Sequence, residues 1–146
     1  MTSYKQPVSV LVVIYTQAGE VLLLERADYP SYWQSVTGSV EWGEAIPHTA
    51  RRELQEETGI IANTLADWQQ QNCYEIYPQW RHRYPPNTTH NHEHVFGLCL
   101  PEPTNITLSP REHLAYQWLP WQQAADKVFS PSNQAAILQL SERLRT

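Results

Sequence analysis

The chain has 146 residues, 41% of them hydrophobic and 17% charged, which is enough for one folded unit with a real core. Its net charge of −5 leaves no footprint for DNA or RNA backbone binding, and its two cysteines are too few for a disulfide framework. Any phosphate-bearing substrate would need metal cations and a few local bases to reverse the sign at its site.

Residues 1–146 are read as a single domain without repeats, linkers or low-complexity tracts. Val8–Tyr15 is the only long apolar stretch and predicts a buried central strand. It is too short to span a membrane and lacks a basic leader and a cleavage site, so the cytoplasm is the expected location. Gln17-Ala18-Gly19-Glu20 turns into a second strand, Val21–Arg26. The loop Asp28–Tyr32 precedes a short strand, Trp33–Thr37, which delivers Gly38. A helix is predicted over Pro47–Thr58. Strands are then expected near Leu65–Cys73, over Tyr74–Tyr84 despite Pro78, at His94–Leu100 and at Leu114–Leu119. Loops cover Pro85–His90 and Pro101–Pro110. Pro120 opens a helical turn through Val128, and Ser130-Pro131-Ser132-Asn133 caps a terminal helix with apolar Ala136, Ile137, Leu140 and Leu144. Cys73 and Cys99 lie in apolar or aromatic surroundings and are expected to pack as buried thiols. Strands, helix, strands, helix is the order of an α/β fold, a mixed sheet between helices.

The predicted helix carries the chemistry. Glu53, Glu56 and Glu57 stand at i, i+3 and i+4 and share one side of it. Ile46, Ala50 and Leu54 form an adjacent apolar stripe that docks the helix, leaving the carboxylates at the border of a cleft. A solvated acidic face is the plain alternative for such a pattern. The flanking residues favour the site: Gly38 suits a turn close to a ligand, Pro47 the first helical turn, and Gly59 the position just past the helix end. Crowded carboxylates resist full ionisation and need a cation. An all-oxygen ligand set points to a hard ion, magnesium with manganese as a substitute, rather than zinc.

From Gly38 the chain reads Gly38, Glu44, then Arg52-Glu53-Leu54-Gln55-Glu56-Glu57-Thr58-Gly59-Ile60. This resembles, without a departure, the Nudix box, G-x5-E-x7-R-E-U-x-E-E-x-G-U with U aliphatic. The resemblance implies the Nudix fold, an α/β/α sandwich, and hydrolysis of a nucleoside diphosphate linked to another moiety. On that reading Glu53 and Glu57 are direct metal ligands, and Glu56 is a third ligand or is bound through water. Glu44 orients the others, and Arg52 fixes a neighbouring glutamate. Glu112, at a loop-to-strand junction, is the candidate extra ligand or general base, with His113 beside it.

Trp33–Val40, Arg81–Tyr84, Glu112–Tyr116 and Ser132-Asn133 further resemble one bacterial Nudix subfamily, which removes pyrophosphate from 7,8-dihydroneopterin triphosphate in folate synthesis. By that resemblance Lys5, Arg26, Thr37, Ser132 and Asn133 contact substrate. Lys5 and Arg26 would supply positive charge, although either is equally a surface cation, and Ser132 is also read as a helix N-cap. The expected partner is a small-molecule triphosphate, with neither nucleic acid nor membrane, and the net charge suits a monomer. Cleavage of dATP, other nucleotides or dinucleoside polyphosphates is the alternative activity, and nucleotide binding without cleavage is a further one. Trp33, Trp80 and Tyr84 are candidate stacking rings. His90, His92 and His94 alternate on a strand, but successive steps of about 7 Å set a shared zinc ion aside.

Overall fold

A computed structural model describes residues 4–145. The first strand, β1 (Val8–Thr16), is followed by β2 (Glu20–Arg26), β3 (Trp33–Gln34) and β4 (Val36–Ser39), and then by helix α1 (Ile46–Thr58). The chain continues through β5 (Ala66–Glu75), β6 (His90–Leu100) and β7 (His113–Pro120). It ends in three helical segments, α2 (Trp121–Lys127), α3 (Pro131–Leu138) and α4 (Leu140–Arg143).

The apolar run of β1 is explained by burial on both faces. Val10, Val12 and Ile14 pack with Ala50 and Leu54 of α1, whereas Leu11 and Val13 pack with Ala124, Ala136, Ile137 and Leu140 from the C-terminal helices. The result is the expected α/β/α sandwich around a mixed sheet. β1 and β6 run parallel from Val8↔His92 to Thr16↔Leu100, and the remaining pairings are antiparallel.

One edge of β1 is divided. Its first half pairs with β4, from Ser9↔Ser39 to Val12↔Val36, and its far end meets β2 at Tyr15↔Val21. β2 then departs to pair with β3 and β7. The sheet therefore forks, and among the described residues the second edge of β4 carries no strand. A register shift at Glu25/Arg26 bends β2 where it faces His113.

Several expectations are corrected. Tyr74–Tyr84 does not form a strand: β5 ends at Glu75, and Pro78–Arg83 makes a 3-10 turn with Pro78 in its first positions. Proline removes a ladder donor and holds a helical φ, which explains the switch. Gly38 lies within β4, paired with Val10, rather than in a turn. Both cysteines are exposed, because Cys73 falls on outward positions of β5, which has one strand neighbour, and Cys99 nears the open end of β6. The terminal helix is divided at Gln139, although Ala136, Ile137 and Leu140 are buried as its pattern requires. Gly59 ends α1 as predicted, with φ 77° and its N–H donating to the Gln55 carbonyl at 2.9 Å. Among the described residues no helix is long and apolar enough to cross a membrane.

Leu54 is fully buried where α1 meets the sheet. Leu54→Ala is expected to lower the unfolding free energy by about 2–5 kcal/mol, measured by urea denaturation.

Candidate active site

Arg52 organises the carboxylates of α1. Its Nε and Nη2 donate to Glu44 Oε2 and Oε1 at 2.8 and 3.0 Å, a bidentate pair. Its Nη1 donates to Glu53 Oε1 at 2.7 Å and reaches Glu56 at 3.3 Å, while Nη2 also bonds the Ser39 carbonyl at 3.2 Å. The Thr49 hydroxyl donates to Glu44 Oε1 at 2.6 Å. The Arg52 hydrogen bonds, despite partial burial and with help from Thr49, hold the Glu44 pKa down at about 2. Glu44 thus pairs with Arg52, and Arg52 with Glu53.

Gly38 makes room for Glu53. A Cβ there would lie 2.2 Å from Glu53 Cδ and 2.5 Å from its Cγ. The glycine serves the close approach of a carboxylate and also lines the cleft.

Glu57 is 1% exposed. It accepts a hydrogen bond from the Thr37 N–H, yet its Oε1 has no hydrogen-bond partner. Burial, followed by the neighbouring Glu53 and Glu112 carboxylates, raises its pKa well above the ordinary value. Glu57, Glu112 and His113 each place a ligand atom within 4.8 Å of the others. Burial, Glu53 and Glu56 likewise raise the Glu112 pKa, against the pull of Lys5 and Arg26. The orphaned oxygen and the crowded carboxyls fit a divalent cation, which would satisfy both.

His113 Nε2 lies 3.7 Å from Glu57 Oε1. Burial, then Arg26, lowers its pKa to about 4, so the ring is neutral near pH 7 and the contact is not an ion pair. Gln34 fixes the ring. Its Oε1 accepts from Arg26 Nη1 at 2.9 Å, which turns its Nε2 toward His113 Nε2 at 3.5 Å. Sequence reasoning set His113 only beside Glu112; the structure makes it part of the cluster. Glu56, by contrast, is half exposed and does not line the cleft.

These groups border a cleft of about 1030 Å³ that also holds Lys5, Arg26, Asp28, Trp80 and Arg83. Asp28 joins the two arginines, at 2.7 Å from Arg26 Nε and 3.3 Å from Arg83 Nη2. The Arg26 guanidinium lies 4.4 Å above the Trp80 ring, which packs edge-on against Tyr29, Tyr77 and Phe129. Tyr84 lines the cleft as well. Trp33 does not: it packs against the core and carries Lys127 over its face at 4.3 Å.

The remaining expected contacts have internal partners. The Thr37 hydroxyl donates to the Val10 carbonyl at 2.9 Å. Asn133 is buried, accepting from the Ser35 N–H at 2.8 Å and donating to the Ser35 hydroxyl at 3.0 Å. The N-cap of α3 is Ser130 rather than Ser132, because Pro131 takes the first helical position. Ser132 lines the cleft and donates to Glu93. His90, His92 and His94 join no three-ligand cluster among the described residues.

Sequence reasoning missed Gln34, Asp28 and a polar floor of Ser9, Asn91 and Glu93, all lining the cleft. The floor left a trace in alternation: Asn91 and Glu93 occupy the positions of β6 that continue, two residues at a time, into buried Val95.

A NUDIX domain description matches residues 5–140, and the chain belongs to the Nudix family. It is 50% identical over 141 residues to dihydroneopterin triphosphate diphosphatase of Escherichia coli (strain K12), covering 93% of each chain. The enzyme of the same name from Haemophilus influenzae is 41% identical over 150 residues, covering 99% of this chain and 94% of its own. The solved structure of the E. coli dihydroneopterin triphosphate pyrophosphohydrolase superposes with a TM-score of 0.88 at 49% identity, over 93% of this chain and 95% of that one.

Gly38→Ala is expected to displace Glu53 and cut turnover about 100-fold. Its melting temperature should change little, since the clash is with the end of a flexible side chain; steady-state kinetics and a melt check both. A second expectation follows from Glu57. A carboxyl whose folded pKa is raised favours the fold below its ordinary value of 4.5 and loses that contribution as pH rises through the folded pKa. Without divalent ions at pH 8, Glu57→Gln should therefore melt above the wild type, and the gap should close as pH falls toward about 4.

Proposed function

We propose that this protein is a magnesium-dependent pyrophosphohydrolase that converts 7,8-dihydroneopterin triphosphate to its monophosphate and pyrophosphate. The observation that carries the reading is the meeting of Glu57, Glu112 and His113 in a cleft that also presents Lys5, Arg26 and Arg83. The relatives named above, at 50% and 41% identity over nearly the whole chain, support the pterin substrate.

Glu57, where it meets Glu112 and His113, would hold magnesium, manganese serving as a substitute, with Glu53 beside it on the same helix and Glu56 at the outer side. Such an ion supplies Lewis-acid polarisation of phosphate oxygens and acidifies a water molecule. Arg52 holds Glu53 in place without reorganisation during turnover, and Glu44 holds Arg52. Glu112 would either complete that ligand set or accept the proton of the attacking water. Arg26 and Lys5, with Arg83 joined to Arg26 through Asp28, neutralise the triphosphate against an acidic protein. Trp80 and Tyr84 offer flat faces to the heterocycle. On this reading the chain acts as a monomeric, single-domain enzyme in the cytoplasm.

The test is a comparison of kcat/KM for dihydroneopterin triphosphate, dATP and a dinucleoside polyphosphate at matched magnesium. The pterin compound is expected to rank first; a rank well below dATP would remove the folate role. Excess chelator should abolish cleavage. Glu57→Gln should lower kcat about 10²- to 10⁴-fold while leaving the circular dichroism spectrum intact. Near-normal turnover in either case would refute the metal-ligand assignment.

A further inference from the structure

On the α3 side of the sheet, β1 and β6 change character along their length. Leu11, Val13 and Val95 are apolar where the C-terminal helices cover them. One step toward the start of both strands, the same face carries Ser9, Asn91 and Glu93, with Ser9 opposite Glu93 in the ladder. These three polar residues are buried, at 6%, 1% and 4% exposure, and all line the cleft.

Glu93 has only neutral partners among the described residues. Asn72 Nδ2 donates to its Oε1 at 3.2 Å, and the Ser132 hydroxyl donates as well. A carboxylate offers about four acceptor positions, so these two donors leave Glu93, which lines the cleft, incompletely matched. Burial raises its pKa, and donors brought by a ligand would favour the ionised form. Asn91 is similarly incomplete. Its Nδ2 donates to the Ser9 hydroxyl at 2.7 Å and to the Tyr74 hydroxyl at 3.1 Å, whereas its buried Oδ1 has no partner. The floor thus presents acceptors in excess and no cation to meet them. A buried acceptor left unmatched is costly, so a ligand rich in N–H groups is selected.

We propose that Glu93 is the specificity determinant for the heterocycle, accepting the adjacent ring N–H and exocyclic amine of a 2-amino-4-oxo ring, with Asn91 Oδ1 accepting a further N–H. This rests on the proposed triphosphate substrate, and it adds the edge by which the ring is read. Pterins and guanine share that donor–donor edge. Adenine sets its amine beside an acceptor nitrogen, which would face the carboxylate unfavourably. A glutamine at position 93 offers one donor and one acceptor, the pairing that suits adenine.

The decisive readout is a ratio of kcat/KM values within a single preparation, from which loss of folded protein cancels. In Glu93→Gln the ratio of dihydroneopterin triphosphate to dATP is expected to fall about 10- to 100-fold, as loss of a bidentate base contact requires. An unchanged ratio would assign Glu93 to holding Asn72 and Ser132 alone and overturn the proposal. A second measurement needs no variant. With wild-type enzyme, dITP, which lacks only the 2-amino group of dGTP, should be cleaved with at least about tenfold lower kcat/KM than dGTP; equal values would overturn the proposal. If the wild type ignored dihydroneopterin triphosphate, the pterin reading would fall separately, because the dGTP–dITP comparison tests the floor without it.

Discussion

The carboxyl of Glu57 is shut between the open edge of β4, the ring of His113 and the neighbouring carboxyls of Glu53 and Glu112. A group in that position has two ways to be stable: it keeps a proton, or it gains a positive partner. Arg52 and Arg26 do not provide that partner. Arg52 is committed to Glu44 and Glu53, and Arg26 to Asp28 and Gln34. Each arginine is tied down by a pair of its own, so the buried acid is left for a metal to neutralise.

The fork of the sheet makes the arrangement possible. Because β2 leaves β1 after a single pairing, β4 has a free edge, and its Thr37 N–H can point at Glu57 instead of at another strand. The bend at Glu25/Arg26 brings the start of β7 to the same place, delivering Glu112 and His113 from a segment more than fifty residues distant in sequence. Gln34 and Arg26 then form a bridge of hydrogen bonds between the imidazole and the cationic wall.

Local features were the legible ones. The box helix, its glycine stop, the central strand and the clamp around Arg52 depend on residues within a few turns of each other, and spacing reveals them. Glu112 was legible through its junction position and family resemblance. The cleft floor was not, because Ser9, Asn91 and Glu93 gain meaning only through the parallel pairing of β1 with β6, a contact that no local pattern encodes. Asn133 and Ser132 illustrate the opposite difficulty. Polar residues near a helix start can cap, bind or brace, and Asn133 braces Ser35 while Ser130 does the capping. The exposure of Cys73 follows strand alternation and that of Cys99 the open end of β6, neither of which apolar sequence neighbours reveal.

β1 serves two clients at once. Its Val10, Val12 and Ile14 seat the hydrolytic helix, while the alternate set beginning at Ser9 turns toward the ring-reading side. Recognition can therefore drift by exchange of side chains on one surface without disturbing the machinery on the other. The same backbone allows no such freedom in length. Inserting or deleting one residue within Val8–Thr16 would turn each set of side chains to the opposite surface and disable both clients together.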